Sequence, residues 1–139
     1  MDIIHIAKAD CDKSPGGVDC NYIRLGNSGL KVYRRAETRD RAARNQRRLA
    51  AYAPRVIADD VTVIIAGRSY PAYETEHAQT PKRGTAEWRQ AYYDAEVLCS
   101  ELEEIYDLVW RDSHGGNVGY LNGRCVIIDT ADRLFEEKD

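Results

Sequence analysis

The residues best suited to chemistry lie near the end of the chain, where Asp112 is followed five positions later by Asn117. A short hairpin-like sequence comes next, and the hydrophobic run Val126-Ile127-Ile128 then ends in Asp129. A tight loop followed by a hairpin would return the second carboxylate to the neighbourhood of the first. Mg²⁺ binds few protein oxygens and completes its octahedron with phosphate and water. We therefore predict that Asn117 and Asp129 are magnesium ligands.

The same stretch also has an ordinary structural interpretation. Gly115-Gly116-Asn117 and Asn122-Gly123 are turn-forming sequences, and Asp112 could stand at a helix end or in a turn. The Asn-Gly hairpin and the strand that ends in an acid, at this distance from Asp112, favour the functional interpretation.

Composition bounds the class of protein. With 139 residues, the chain is long enough for one domain with its own core. No apolar run approaches the roughly 18 residues of a membrane span, and the first residues lack a secretory pattern, so we expect a cytoplasmic protein without a membrane partner. The four cysteines include no Cys-x-x-Cys pair, which argues against a zinc site and favours reduced thiols.

Positive charge is concentrated in one segment of the chain. Residues 1–55 carry twelve basic and six acidic side chains, whereas residues 56–139 carry eight basic and seventeen acidic ones. Seven of the arginines lie between positions 34 and 48. Such a run could bind nucleic acid or an acidic partner, but it is more often a solvated helix face, so we do not expect nucleic acid as a partner.

Turn signals and hydrophobic periodicity predict a sheet interrupted by one helix. An Ala- and Arg-rich segment predicts a helix over 36–53 that ends before Pro54. Apolar residues at spacings of three and four predict a second, long helix over 85–109. The predicted strands cover 2–8, 21–25, 30–33, 55–58, 61–66 and 70–77, with turns at 26–29 and 59–60.

The order of these elements and motifs resembles the protein kinase-like fold, and in detail its aminoglycoside and choline kinase-like branch together with small bacterial and phage kinase-like proteins. Arg111-Asp112 resembles the Arg-Asp of the kinase catalytic loop, and His114 follows it as in the aminoglycoside branch. The sequence Leu30-Lys31-Val32-Tyr33-Arg34 resembles the third-strand lysine motif. Residues 73–78 fall where a hinge would hold adenine.

This resemblance implies an α+β fold that forms a single minimal kinase-like domain. An antiparallel N-lobe sheet with one helix would occupy 1–78, and a hinge or linker would occupy 79–84. A reduced C-lobe over 85–139 would contain one long helix, a catalytic-type loop and a β-hairpin.

The resemblance also implies roles for individual residues. Asp112 would be the catalytic residue that orients the attacking hydroxyl, while Asn117 and Asp129 would hold the magnesium of Mg·ATP. Lys31 would contact the α and β phosphates. The residues that would bind the nucleotide are Lys31, Glu76, His77, Ala78, Gly16 and Gly17.

Two functions are compatible with this pattern. In the first, the chain binds Mg·ATP and transfers the γ-phosphate to a hydroxyl on a small molecule or a partner protein, mainly by positioning and charge stabilisation. In the second, a catalytically weak or inactive kinase-like protein serves as a partner-binding module. The expected helix glutamate is not evident, because Asn45 stands four residues before Leu49. Only ten residues follow Asp129, so we expect a protein partner to supply or complete the acceptor site.

Overall fold

The computed structural model describes residues 2–7, 20–110, 115–130 and 135–137, and it shows an α+β chain. The chain divides into two compact units. The first unit consists of Met1–Arg47 and Arg55–His77, and the second consists of Arg48–Pro54 and Ala78–Asp139. Each unit is described in turn.

The first unit contains a curled five-stranded sheet and one helix. The elements are β1 (Asp2–Ile6), β2 (Cys20–Leu25), β3 (Ser28–Tyr33), α1 (Ala36–Arg48), β4 (Val56–Ile65) and β5 (Arg68–Glu76). The strand order in the sheet is β1-β4-β5-β3-β2.

The sheet is mixed, so the prediction of an antiparallel sheet is wrong for its first strand. Strands β2, β3, β5 and β4 pair antiparallel, but β1 runs parallel to β4, from Asp2 beside Val61 to Ile6 beside Ile65. This pairing lets Ile4 and Ile6 pack on a cluster that includes Val61 and Val63. Burial of these apolar side chains favours the edge of β4 as the partner of β1.

Strand β4 continues through Asp59 and Asp60, so the prediction of a turn at these residues is wrong. The register with β5 shifts between Val56 and Ala58 and again between Ala58 and Val61. Such irregularities absorb extra residues without ending a strand. Both aspartates are exposed, and they pair with arginines of α1 at 3.1 Å (Arg47–Asp59) and 3.5 Å (Arg39–Asp60).

The two faces of this sheet carry different clusters, as strand alternation requires. Leu30, Val32 and Ala72 belong to one cluster, on the side to which β1 contributes. Tyr33 and Tyr73, whose positions alternate with these, pack with Ala42 and Ala43 of α1. Lys31 lies two positions before Tyr33 on β3, so its side chain leaves the strand on the same face, which α1 covers.

Helix α1 is shorter than predicted. It ends at Arg48, and a 3-10 turn follows over Ala50–Tyr52. Ala50 has a left-handed backbone with φ of 50°, which a continuing α-helix does not allow. The stretch Arg48–Pro54 belongs to the second unit.

The second unit is built on one long helix and two small two-stranded sheets. The elements are α2 (Ala86–Tyr106), β6 (Leu108–Trp110), a 3-10 turn (Gly115–Asn117), β7 (Val118–Leu121), β8 (Arg124–Ile127) and β9 (Phe135–Glu137). Strand β6 pairs with β9 and β7 pairs with β8, both antiparallel.

Helix α2 has clear ends. The Thr85 hydroxyl accepts a hydrogen bond from the backbone N–H of Trp88 at 3.2 Å, which is an N-cap. Asp107 takes the left-handed conformation that closes many helices, so α2 ends before the predicted limit at Val109. The next residues alternate in burial and form β6 instead. Among the described residues, no helix is both long and apolar enough to cross a membrane.

The β7–β8 hairpin forms at the predicted Asn122-Gly123 turn. Both turn residues have positive φ, 50° and 79°, which is the pattern of a tight two-residue hairpin loop. The hairpin packs through Val118 and Ile127 on a core that α2 supplies from Ala91, Ala95, Leu98 and Leu102.

We predict that Leu102→Ala destabilises the protein strongly. Leu102 is fully buried in this core, so truncation removes apolar contacts and leaves a cavity, at a cost of about 2–5 kcal/mol. Val97→Ala on the same helix is the matched control, because Val97 is 56% exposed and its loss should change stability by about 0.5 kcal/mol at most. Urea unfolding of both variants measures the difference. Equal losses would contradict this packing of α2.

Candidate functional site

Lys31 points from β3 toward helix α1. Its Nζ donates a hydrogen bond to Oε1 of Gln46 at 3.4 Å and lies 5.6 Å from the centre of the Tyr73 ring. The ammonium group is therefore held by a neutral acceptor on the helix and by an aromatic face on β5. Lys31 itself is only half-buried, so its charge is not enclosed by the sheet and helix.

Gln46 is a buried polar side chain of the first unit. It is 1% exposed, and its Oε1 also accepts a hydrogen bond from the Tyr73 hydroxyl at 2.8 Å. Its Nε2 donates to Oγ1 of Thr75 at 2.5 Å. These contacts fix which end of the amide faces Lys31. A carboxylate could not donate to Thr75 in this way.

Gln46 is not among the residues predicted from the sequence, where Asn45 is the helix position compared with a kinase glutamate. The spacing of residues in α1 does contain a signal for Gln46. Gln46 lies four positions after Ala42 and three after Ala43, and these three residues form the buried stripe of α1. A polar residue at the end of an Ala-Ala stripe needs a buried partner.

In the segment predicted to hold adenine, two backbone N–H groups form hydrogen bonds within the first unit. The N–H of Glu76 donates to the Arg55 carbonyl at 3.0 Å, and the N–H of His77 donates to the Asn27 carbonyl at 3.1 Å. Those two donors are engaged by protein carbonyls. Ala78, the remaining residue of the predicted hinge, is buried and belongs to the second unit.

His77 also makes a side-chain contact with Tyr22 of β2. The tyrosine hydroxyl lies 2.6 Å from Nδ1 of His77, and the rings are tilted against each other. Burial, and then the charge of Arg24, lower the pKa of His77, while burial raises the pKa of Tyr22. Both shifts favour a neutral pair. Tyr22 also lies across Gly29, where any Cβ would overlap the tyrosine ring.

In the second unit, the hairpin brings the predicted magnesium ligands to one end. Asn117 precedes β7 and Asp129 follows β8, and the Ile128 N–H donates to the Asn117 carbonyl at 3.0 Å. Asp129 is exposed and Asn117 is half-exposed. Their backbones are therefore close at this end of the hairpin.

The other predicted site residues lie outside the described residues. They are Asp112, His114, Gly16 and Gly17. Within 2–7, 20–110, 115–130 and 135–137, no group of three or more His, Cys, Asp or Glu side chains could hold a metal ion. Both predicted magnesium ligands, Asn117 and Asp129, are among the described residues.

A pocket of about 330 Å³, which the sequence did not predict, lies within the second unit. Residues before α2, one face of α2 and Tyr120 of β7 surround it. The backbones of Gln79 and Tyr120 exchange two hydrogen bonds, of 2.8 and 3.0 Å, which fix one wall. The lining residues are Gln79, Thr80, Pro81, Glu87, Gln90, Asp94 and Tyr120.

Asp94 organises the polar side of this pocket. Its Oδ2 accepts a hydrogen bond from the Tyr120 hydroxyl at 2.5 Å, and its Oδ1 accepts one from Gln90 Nε2 at 3.2 Å. Burial and the bond to Asp94 raise the pKa of Tyr120, so the phenol remains a donor at neutral pH. Burial, with the Asp94 charge, raises the pKa of the nearby Cys125 thiol to about 11, which leaves it a poor nucleophile.

No protein-family model matches this chain, and no curated protein is significantly similar to it in sequence.

Proposed function

We propose that this chain is a minimal kinase-like protein that binds Mg·ATP, with Lys31 at the phosphates and Asn117 and Asp129 at the magnesium. Transfer of the γ-phosphate to a hydroxyl on a small molecule or partner protein is the activity that such binding would serve. Asp112 is the proposed orienting residue for that hydroxyl. A cytoplasmic location is part of the proposal, and the free thiols of Cys99 and Cys125 are compatible with it.

The observation that carries the proposal is the contact between Lys31 and Gln46. In protein kinases a lysine on the third strand of the sheet pairs with a glutamate of the following helix and reaches the nucleotide phosphates. Here a lysine on β3 reaches α1 at 3.4 Å, on a sheet whose strands β2, β3, β5 and β4 pair antiparallel.

The hairpin of the second unit gives a second, weaker support. A carboxamide and a carboxylate at one end of a rigid hairpin offer two oxygen ligands without further protein groups. Asp129 is an exposed residue at that end of the hairpin.

One observation favours the second candidate, a catalytically weak kinase-like binding protein. The helix partner of Lys31 is a neutral amide instead of a carboxylate. A neutral partner orients the lysine less strongly than an ion pair would, because charge-assisted hydrogen bonds are shorter and stronger. Nucleotide binding is common to both candidates, and turnover separates them.

Calorimetric titration of the full chain with ATP, with and without Mg²⁺, tests the proposal directly. We expect saturable binding that strengthens when magnesium is present, because the metal adds bonds to Asn117 and Asp129. Release of ADP in the presence of candidate acceptors would then support the phosphotransferase over the binding protein. Absence of ATP binding under both conditions would overturn the proposal.

We predict that Lys31→Ala weakens ATP binding by about tenfold or more, which is the loss of one charge-assisted contact. Its effect on folding should be small, about 1 kcal/mol or less, because Gln46 keeps its bonds to Tyr73 and Thr75. Lys82→Ala is the matched control, since Lys82 is an exposed lysine outside the proposed site. ATP titration of both variants measures the change in affinity, and thermal melting measures the change in stability. Equal ATP affinity in the two variants would remove Lys31 from the site.

We predict that Asp129→Asn preserves or slightly raises the stability of the metal-free protein and weakens Mg·ATP binding on the order of tenfold, because a hard cation loses an anionic oxygen. Glu96→Gln, which removes an exposed carboxylate from α2, should leave Mg·ATP affinity unchanged. Melting and magnesium-dependent titration are the measurements. A destabilised Asp129→Asn protein with normal affinity would identify Asp129 as a structural residue at the end of β8.

A further inference from the structure

The pocket in the second unit has the size of a site for a small molecule. Its volume of about 330 Å³ lies at the lower end of the range for ligand-binding clefts, which is about 300–1,000 Å³. Its walls belong to one unit and consist of segment 79–81, one face of α2 and Tyr120 of β7. Two backbone hydrogen bonds join Gln79 to Tyr120, so this part of the wall is formed without a ligand.

The charged side chains that line the pocket are acidic. Glu87 and Asp94 line it, whereas no lysine, arginine or histidine of the described residues does so. Lys82 and Arg83 follow Pro81 in the chain, but both are exposed and neither lines the pocket. The lining therefore favours a positively charged ligand and disfavours an anion.

Asp94 keeps acceptor capacity for such a ligand. Its carboxylate accepts one hydrogen bond from Tyr120 and one from Gln90, whereas a carboxylate has about four acceptor positions. The two bonds hold the carboxylate in one orientation, so less side-chain freedom is lost when a ligand binds. Asp94 is also half-buried, and a partly buried charge is screened less by salt than an exposed one.

Two other lining residues offer apolar surface. Pro81 and Tyr120 are both half-buried, and they line the pocket together with the carboxylates. A ligand whose body covers the proline and tyrosine rings removes apolar area from water, which favours binding. The pocket thus combines an apolar contact area with a few placed polar groups, as small-molecule sites do.

We propose that this pocket binds a small organic amine. The ammonium group would lie at Asp94 and Glu87, and the apolar body of the ligand would pack against Pro81 and Tyr120. An ammonium group supplies three hydrogen-bond donors and a positive charge, which match the carboxylates and the free acceptor positions of Asp94.

An amine fits this lining better than a metal ion does. Among the residues that the structure describes, no group of three or more His, Cys, Asp or Glu side chains could hold a metal ion. An ammonium group needs only one or two carboxylates and no fixed coordination geometry. The proposal is also independent of Mg·ATP binding, because Lys31, Asn117 and Asp129 do not line the pocket.

Nuclear magnetic resonance titration of the full chain with benzylamine, in the absence of ATP, tests the proposal. Benzyl alcohol is the matched probe, because it has nearly the same shape without the charge. We expect saturable benzylamine binding with a dissociation constant of about 1 mM or lower, together with shifts of the backbone N–H signals of Gln79 and Tyr120. Benzyl alcohol should bind about tenfold more weakly, because it cannot form a charge-assisted hydrogen bond.

Neutralising substitutions identify the groups that hold the ammonium. Asp94→Asn should weaken benzylamine binding by about tenfold, and Glu87→Gln by about threefold, because Glu87 is the more exposed of the two. Glu96→Gln is the matched control, since Glu96 is an exposed carboxylate of α2 that does not line the pocket; it should leave affinity within about twofold. Glu87→Gln keeps the test valid if Asp94→Asn does not fold.

Four results would overturn the proposal. They are the absence of saturable benzylamine binding up to about 10 mM, equal affinity for benzyl alcohol, binding that leaves the Gln79 and Tyr120 signals unshifted, and affinities in Asp94→Asn and Glu87→Gln that equal that of Glu96→Gln. Since ATP is absent throughout, these results are distinct from a failure of nucleotide binding.

Discussion

The buried amide of Gln46 is the interaction on which the first unit most depends. It joins α1 to two strands, because it meets Lys31 on β3 and both Tyr73 and Thr75 on β5. A buried amide is costly to desolvate, so its bonds must form together with the packing of the helix. The network therefore specifies one rotation of α1 on the sheet. Ala42 and Ala43 have small side chains, and their apolar contacts alone would tolerate several rotations of the helix.

The second unit meets a different constraint, which is the close approach of backbones around its hairpin. A Cβ at Gly119 would come within 3.1 Å of the Ala78 side chain, the Gln79 carbonyl and the Ile128 side chain. Glycine at this position lets the Gln79 segment form its bridge to Tyr120, and the bridge fixes one wall of the pocket at Asp94. The rigid hairpin in turn fixes the ends at which Asn117 and Asp129 lie. Positions that could bind a ligand thus depend on a residue with no functional group.

Some of this structure was predictable because the signals are local. The Asn122-Gly123 turn requires positive φ at both residues, and the period of α2 follows from its own apolar side chains. Other features depend on partners distant in sequence. Nothing in residues 2–6 indicates whether they pair parallel or antiparallel, and the choice of β4 becomes clear only from the shared cluster with Val61 and Val63. The turn expected at Asp59-Asp60 failed because acidic residues also occur at exposed strand positions next to arginines.

The same distinction applies to the candidate site. Asn117 and Asp129 could be placed together from the length of one hairpin, whereas Gln46 and Asp94 gain their importance from side chains elsewhere in their units. The choice of glutamine at position 46 has an energetic meaning. A buried carboxylate beside Lys31 would incur a larger desolvation penalty than an amide, and it would offset that penalty only with excellent geometry. The amide holds the lysine without cancelling its charge. A neutral acceptor orients the ammonium group less strongly than an ion pair would, because charge-assisted hydrogen bonds are shorter and stronger.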